Sequence, residues 1–352
     1  MDFSEQDRHW MQVAIEQARL GEGLTSPNPP VGAVLALEER LIGQGYHREA
    51  GKPHAEREAF RDALERGNKD ILSKVTLYVT LEPCSSHGRT PPCTDAILQY
   101  GIARVVYGSM DPDPRHRGGA CHLLKDAGIP TGHGLLEDEC DYLIRAFKKN
   151  VQEKRPWVVV KTAMSLDGRI VRKPENSQWL TSKASRRRVH SLRAYADAIL
   201  TGGQTVRVDN PALTIREPDH AVSPHKKQPW RIIATRDASA IPSSSICLND
   251  EWKERTLVCE NIDSWKRFLE ELYASRHIST LMVEAGGDLV KKLLNESLVD
   301  EWVGFYAPMI TGGSQLAVGG ESFLPREAHL ERIKVMQLEN DICVNGLLKY
   351  ES

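Results

Sequence analysis

Three soft metal-binding side chains constrain this chain more than any other feature: His54 in "PHAEREAF" (53–60), and Cys84 and Cys93 in "LEPCSSHGRTPPC" (81–93). A catalytic zinc takes about three protein ligands from His and Cys, leaves its fourth position to water, and needs a general base beside the metal. The local patterns say which elements must meet. "HAEREAFRDALERG" has helical spacing, "VTLYVTLEP" reads as a strand that "EPC" closes, and "PPC" opens the helix "TDAILQYG". A helix N-terminus offers amide donors and a positive dipole end to a thiolate, so Cys93 is well placed to ligate.

Glu56, in H-x-E relation to His54, can take a proton from a water and pass it to a leaving amine. The order H-x-E, P-C, then a second Cys is the pattern of the zinc deaminases. Each part has a blander reading, since any surface helix carries an occasional H-x-E and two nearby cysteines are often buried thiols. Together, in this order, they argue for one site. A purely structural zinc would recruit a fourth ligand, for which His87 is the nearby candidate, and ligand softness leaves iron as a second metal. Cys121, Cys140, Cys247, Cys259 and Cys343 have no comparable context and read as core or surface thiols.

With 352 residues and 40% apolar residues the chain is long enough for two cored domains. The first part alternates helix and strand ("DRHWMQVAIEQARLG", "VGAVLAL", then the segments above, "RVVYGS" and "CHLLKDAGI"), which implies a layered α/β domain. A helix over "LEDECDYLIRAFKKNVQEK" ends at "RPWVVVK", so the boundary falls in 147–155, giving domains 1–150 and 151–352. The second part again mixes strands ("WVVVKTA", "AILTGG", "WRIIAT", "TLMVEAGG", "EWVGFYAPMI") with helices ("SKASRRRVHSLRAYA", "SWKRFLEELYASR", "DLVKKLL"), and residues 216–229 read as an exposed loop. Lys and Arg total 46 against 48 Asp and Glu, a net charge of −2 with no long run of one sign, which disfavours nucleic acid as a partner. No apolar run approaches the roughly 20 residues of a membrane helix. The expected setting is the cytoplasm, and seven scattered cysteines fit a reducing compartment.

Longer stretches then point to one family. "PNPPVGAV" (27–34), "GYH" (45–47), "GKPHAE" (51–56), "TLEPCSSHGRTPPC" (80–93) and "DPDP" (111–114) resemble the bifunctional deaminase/reductase of riboflavin biosynthesis. "KTAMSLDGR" (161–169), "SQWLTS" (177–182), "AILTGGQTVRVDNPALTIR" (198–216), "VEAGGDL" (283–289) and "DEWVGFYAP" (300–308) resemble its reductase half, in the family's domain order. The resemblance implies a cytidine-deaminase-like α/β/α domain followed by a dihydrofolate-reductase-like α/β domain. It also implies zinc-dependent deamination of a diaminopyrimidinone ribose phosphate, then NADPH reduction of the ribosyl group to ribityl. Family members usually form dimers or tetramers through the reductase domain.

By the same resemblance Asn28, His47 and Arg89 match positions that line the pyrimidine and ribose, and Ser177, Arg193, Leu213, Arg216 and Glu284 match substrate positions of the reductase. Met164, Trp179, Thr205, Asp209, Ala285, Gly286, Gly287 and Asp288 match cofactor positions. Arg193 and Arg216 can supply the cationic forks a sugar phosphate needs. Competing readings are a turn residue for Asn28, a solvated loop charge for Arg89 and a core aromatic for Trp179, while the nearby Arg186, Arg187 and Arg188 read as a solvated helix face. No G-x-G-x-x-G follows a predicted strand, so the nicotinamide cofactor rests chiefly on the resemblance, with the Gly286–Gly287 turn as a weak phosphate-binding signal.

The chain also departs from the family pattern. Ser86 stands where a histidine usually follows "CS", Asp113 where an asparagine is usual, and "RGGA" (117–120) replaces "AGKG". These loops touch substrate in the family, and a carboxylate at 113 would repel a phosphate unless Arg115 or Arg117 compensates it. Two rival functions follow: a deaminase/reductase of another pyrimidine or purine-derived metabolite, and a non-catalytic zinc module with a ligand-sensing second half. Glu56 argues against the latter, because a structural site has no use for an acid/base beside the metal.

Overall fold

The computed structural model describes residues 2–86, 91–171, 179–220 and 222–351, and the predicted site residues Arg89 and Ser177, with His87, lie outside them. The chain clusters into two compact units, Met1–Lys154 and Arg155–Ser352.

In the first unit Ser4 and Asp7 form a capping box that starts helix α1 (Glu5–Arg19), whose apolar stripe of Trp10, Met11, Ala14, Ile15 and Ala18 is buried. Strands β1 (Gly32–Leu37) and β2 (Arg40–Tyr46) form an antiparallel hairpin. The sequence reading found only β1. In "RLIGQGY" glycines occupy positions 43 and 45, so the apolar alternation is lost, and the reason is packing: a Cβ on Gly45 would lie 2.5 Å from the Ala59 backbone nitrogen of helix α2 (Ala55–Glu65). Next come β3 (Thr76–Leu81), α3 (Cys93–Tyr100), β4 (Arg104–Ser109), α4 (Gly119–Asp126), β5 (Thr131–His133), α5 (Glu137–Leu143) and α6 (Arg145–Glu153). The single helix expected over the last of these breaks at Ile144, which leaves helical geometry at φ −94°, ψ 11°.

The described strands of this unit form a five-stranded sheet in the order β2-β1-β3-β4-β5, parallel from β3 onward. Ala33, Leu35, Leu77, Val79, Val105 and Tyr107 pack against α2, α3 and Leu124 of α4. Val34, Ala36, Tyr78 and Val106 on the other face pack against α1 and α5. This is the α/β/α layering that the sequence implies.

The second unit runs β6 (Trp157–Ser165), α7 (Lys183–Tyr195), β7 (Ala198–Gly202), α8 (Gly203–Asp209), β8 (Trp230–Thr235), α9 (Ile246–Asn249), β9 (Thr256–Glu260), α10 (Trp265–Arg276), β10 (Thr280–Val283), α11 (Gly287–Asn295), β11 (Glu301–Ala307), β12 (Ala328–Leu338) and β13 (Asp341–Tyr350). Its described strands form an eight-stranded sheet, β12-β13-β11-β6-β10-β7-β8-β9, parallel from β11 to β9. Helices α10 and α11 bury Leu269, Leu272, Val290 and Leu293 against Val158, Val160, Leu200 and Val283. On the opposite face α7 brings Val189 to Met282, Val303 and Phe305.

The sequence reading missed β9, β12 and β13. β12 is an edge strand with Ile333 and Val335 exposed beside charged neighbours, so no buried face marks it. Residues 216–229 are not wholly exposed either: Lys226 Nζ donates to Ala196 O at 3.0 Å, and Asp219 accepts from the Ser191 hydroxyl. Among the described residues no helix is long and apolar enough to cross a membrane.

Candidate active sites

In the first unit, the C-terminal ends of parallel strands β3 and β4 and the N-terminal ends of α2 and α3 face one another. His54 is the N-cap residue of α2, in extended geometry at φ −72° and ψ 164°, so its imidazole stands clear of the helix. Its Nδ1 lies 3.5 Å from Cys84 Sγ and 3.4 Å from Cys93 Sγ, and the three donor atoms all fall within 4.8 Å of one another. That spacing and donor set suit a tetrahedral ion held by one nitrogen and two sulfurs, the zinc arrangement with a fourth position left over. The amide that opens α3 serves the other cysteine: Cys93 N–H donates to Cys84 Sγ at 3.2 Å. Cys84 is pulled down to about 4 chiefly by its contacts with Cys93 and then with His54. Thr94 N–H holds the Cys84 carbonyl at 3.2 Å, and Arg57 holds the carbonyls of Pro91 and Pro92 at 3.2 Å each, which fixes the approach to Cys93.

Glu56 sits in the first turn of α2 and is 3% exposed. Its carboxyl faces the Cys93 thiol, and burial first, then the Cys84 charge, raises its pKa. A carboxyl so placed holds a proton more readily than a solvated one. His47 and Asn28 stand next to this centre. His47 Nδ1 lies 3.0 Å from Pro53 O, so this nitrogen carries the hydrogen, and Nε2 accepts from Asn28 Nδ2 at 3.1 Å. Burial holds His47 below its ordinary pKa, in keeping with a neutral ring. Asn28 is thereby more than a turn residue, and among the described residues its amide oxygen has no hydrogen-bond partner.

The departures from the family pattern lie together beside the metal ligands. Arg115 clamps Asp113 with Nε at 3.0 and 3.1 Å from the two carboxylate oxygens, which lowers the acid's pKa and supplies the compensation the sequence called for. Ser86 Oγ lies 3.0 Å from His116 Nδ1. Glu82, which sequence reasoning passed over, accepts three backbone N–H groups from residues 111–120.

In the second unit, Glu284 is buried directly after β10. Arg193 grips it through Nε and Nη2 at 2.6 and 3.0 Å, and Lys161 Nζ lies 3.2 Å away. Burial alone would raise this carboxyl, but the Arg193 and Lys161 charges outweigh it and bring its pKa to about 2. The Arg193 fork expected to face a phosphate is therefore turned to Glu284, with Nη1 on Thr214 O at 2.9 Å. Lys161 was missed, because only the fold sets this strand lysine against Glu284. Arg216 is exposed, and its Nη1 donates to Thr214 Oγ1 at 3.0 Å. His190 Nδ1 meets Thr214 O at 3.0 Å, and burial followed by the Arg193 and Arg216 charges takes its pKa down to about 4. Leu213 is buried at positive φ (52°), which turns the chain so that Thr214 faces Arg193.

The residues matched to the cofactor gather at the C-terminal ends of adjacent parallel strands, the crevice where α/β sheets bind ligands. Met164 closes β6, Thr205 and Asp209 lie on α8 just after β7, and Ala285 to Asp288 form the turn from β10 into α11, with Gly286 as its N-cap. Desolvation raises the Asp209 carboxyl and the Lys161 charge pulls it back. The Asp288 carboxylate already occupies the first turn of α11, which weakens the case for a phosphate at that helix end. Trp179 is 52% exposed with the Arg186 guanidinium 5.0 Å above its ring, so it is not a core aromatic. Nor is Arg188 merely solvated: it lies 3.7 Å from Asp219.

Comparison with known proteins agrees with both halves. Residues 4–109 match the cytidine and deoxycytidylate deaminase zinc-binding region, and residues 156–344 match the RibD C-terminal domain. Fold and site thus define a two-domain enzyme, a zinc-dependent deaminase joined to a reductase. The riboflavin biosynthesis protein RibD of Escherichia coli is 36% identical over 97% of this chain and 99% of its own length, and that of Aquifex aeolicus is 36% identical over 96% and 97%. The solved structure of Acinetobacter baumannii RibD (34% identical, 98% of this chain and 99% of that one) superposes with a TM-score of 0.87. A Thermotoga maritima structure described as a diaminohydroxyphosphoribosylaminopyrimidine deaminase/5-amino-6-(5-phosphoribosylamino)uracil reductase is 31% identical over 98% and 99%, with a TM-score of 0.80. The chain belongs to the RibD family of riboflavin biosynthesis.

Replacing Cys93 by Ser exchanges a thiolate for a hydroxyl that stays protonated, so zinc should fall well below one ion per chain and ammonia release should disappear with it. Metal analysis checks this. Stoichiometric zinc with full ammonia release in Cys93→Ser would place the centre elsewhere.

Proposed function

We propose that the first unit deaminates the diaminopyrimidinone ribose phosphate and that the second reduces the ribosyl group of the product with NADPH, the activities dividing at the end of α6, within the 147–155 stretch and four residues after the 150/151 division expected from sequence. The observation that carries this reading is the convergence of His54 Nδ1 and the two cysteine sulfurs beside a buried carboxyl, in a chain whose second unit matches the RibD reductase domain. The rival with another substrate is not favoured, because relatives matching over nearly the full length are riboflavin biosynthesis proteins.

His54, Cys84 and Cys93 would hold zinc, which supplies a Lewis acid that makes water a nucleophile near neutral pH. Glu56 would accept the water's proton at a carboxylate oxygen and return it to the departing amine, its burial favouring the protonated form between the two transfers. Asn28, with its amide nitrogen tied to His47, would present its oxygen to the pyrimidine edge, and Arg89 would contribute charge to the same site. In the reductase, NADPH supplies the hydride. Met164, Trp179, Thr205, Asp209 and Ala285 to Asp288 would hold the cofactor at the strand ends; Ser177, Leu213 and Glu284 would line the substrate, with Glu284 fixed by Arg193 and Lys161. Arg216, exposed and next to Arg193, would meet the phosphate. The exposed Ile333, Val335 and Ile342 of the β12–β13 hairpin fit self-association of the second unit into a dimer or tetramer.

The test is to incubate the zinc-loaded protein with the diaminopyrimidinone ribose phosphate, with and without NADPH, and to identify the products by mass. A gain of one mass unit from exchange of NH for O without NADPH, then a gain of two hydrogens with it, is the expected pair. No turnover of this compound by the zinc-loaded chain would overturn the reading. Arg216→Ala should raise KM of the reduction about tenfold or more and lower kcat much less, since a contact to phosphate is made in ground and transition states alike. Unchanged kinetics would return Arg216 to the solvated surface.

A further inference from the structure

Strands β3 and β4 run parallel up to the pair Leu81 and Ser109, and Glu82 N–H continues the ladder by donating to Ser109 O at 2.8 Å. Beyond that point the two chains diverge, one toward Cys84 and the other into residues 110–118. Parallel strands that separate leave their next backbone donors without a ladder partner. Here one side chain takes them. The Glu82 carboxyl, 4% exposed, accepts from Asp111 N at 3.2 Å and Gly118 N at 3.0 Å on Oε2, and from Ala120 N at 3.2 Å on Oε1. The three donors come from both ends of one loop, so a single buried group ties that loop closed.

The loop it ties reaches the metal-ligand segment. His116 meets Ser86, and Gly119 lies so close to Ser85 that a Cβ there would fall 2.4 Å from the hydroxyl. Asp113, clamped by Arg115, is carried on the same loop. We propose that Glu82 is a positioning residue of the deaminase, fixing the 110–119 loop at the rim of the centre so that the residues it carries meet the substrate. This rests on the deaminase reading above.

Glu82→Gln keeps the size of the side chain, but either orientation of the amide sets an NH2 group against a backbone N–H. One zinc per chain should remain, and reduction of the already deaminated substrate should be unchanged. KM for deamination should rise about tenfold while kcat falls less than about threefold, the signature of lost substrate positioning. Hydrogen exchange should quicken by at least about tenfold at the amides that face the new NH2 group, Ala120 in one orientation and Asp111 with Gly118 in the other, since those lose their acceptor. A general loosening of the fold would instead move zinc content and reduction together. Glu82→Asp, which keeps the charge on a shorter stem, carries the same test if the Gln variant does not fold, and should raise KM in the same direction. Unchanged exchange at the three amides, or faster exchange with unchanged KM, overturns the proposal; so does loss of zinc, which would mean that Glu82 acts through Cys84. The unsubstituted chain is assayed alongside. Should it leave the diaminopyrimidinone untouched, the deaminase reading fails separately, and exchange at the three amides alone decides whether Glu82 holds the loop.

Discussion

Glu56→Gln should bind zinc as the parent chain does and deaminate at least about 10²-fold more slowly, the usual scale for loss of a general acid/base. Gln has the shape of Glu and none of its proton affinity, and Glu56 is not among the three ligand atoms, so metal and chemistry should separate. Stability should not suffer. Burial raises the folded pKa of Glu56 above its ordinary 4.5, so in the metal-free chain its ionisation costs stability as pH rises past that value, and the amide removes this cost. Thermal unfolding of the metal-free variant at pH 7 should come at the parent's temperature or above it. Reduction should persist, measured as NADPH oxidation with the deaminated ribosylaminouracil phosphate. Loss of both activities with fold and zinc intact would mean that the two reactions share a site, and the two-site reading would fall.

The metal centre could be read from the sequence because its ligands are named by residue type, and because strand and helix periodicity fixes where each one sits. His54 at the start of α2, Cys84 after a strand and Cys93 at the start of α3 follow from local patterns that the tertiary structure leaves intact. The supports were harder to see. Glu82 and Lys161 look ordinary in sequence, since a carboxylate or an ammonium gains meaning only from what faces it across the fold. Arg193 is a further case: its charge suggested phosphate, and what the sequence did not show is the acid 91 positions away in the chain on which the fold sets its guanidinium. The missed strands have a related cause. β2 replaces side chains by glycines to admit α2, and β12 at the sheet edge has no buried face, so neither has the alternation by which a strand is recognised.

Both units put their candidate residues at the C-terminal ends of parallel strands, where the chain must leave the sheet and backbone groups lose their ladder partners. In the first unit Glu82 takes up those donors. In the second, Thr201 Oγ1 on β7 donates to Glu284 O at 2.7 Å, which holds the residue after β10 in place while its side chain faces the two cations. Recognition and support are therefore built from neighbouring positions of the same strand ends.

Glu284→Gln is expected to be the most destabilising of the substitutions considered. The amide leaves the buried Arg193 and the half-buried Lys161 against a neutral group, and breaking a buried pair by removing one partner typically costs about 3–5 kcal/mol. Linkage gives an independent figure of similar size. The folded pKa of about 2 lies below the ordinary 4.5, a gap equivalent to about 3 kcal/mol. The sign is that of a depressed acid: the contribution is fully present above the unfolded value of 4.5 and is lost as pH falls toward 2. Denaturant unfolding of the second unit, followed at pH 7, should therefore show a loss of about 3 kcal/mol in the variant, and its stability should vary less than the parent's between pH 5 and pH 3. Reduction should fall as well, because Arg193 and Lys161 lose the acid that orients them, whereas zinc content and deamination in the first unit should hold. A variant as stable as the parent at pH 7, with the same acid profile, would show that Glu284 is not the partner on which the two cations depend.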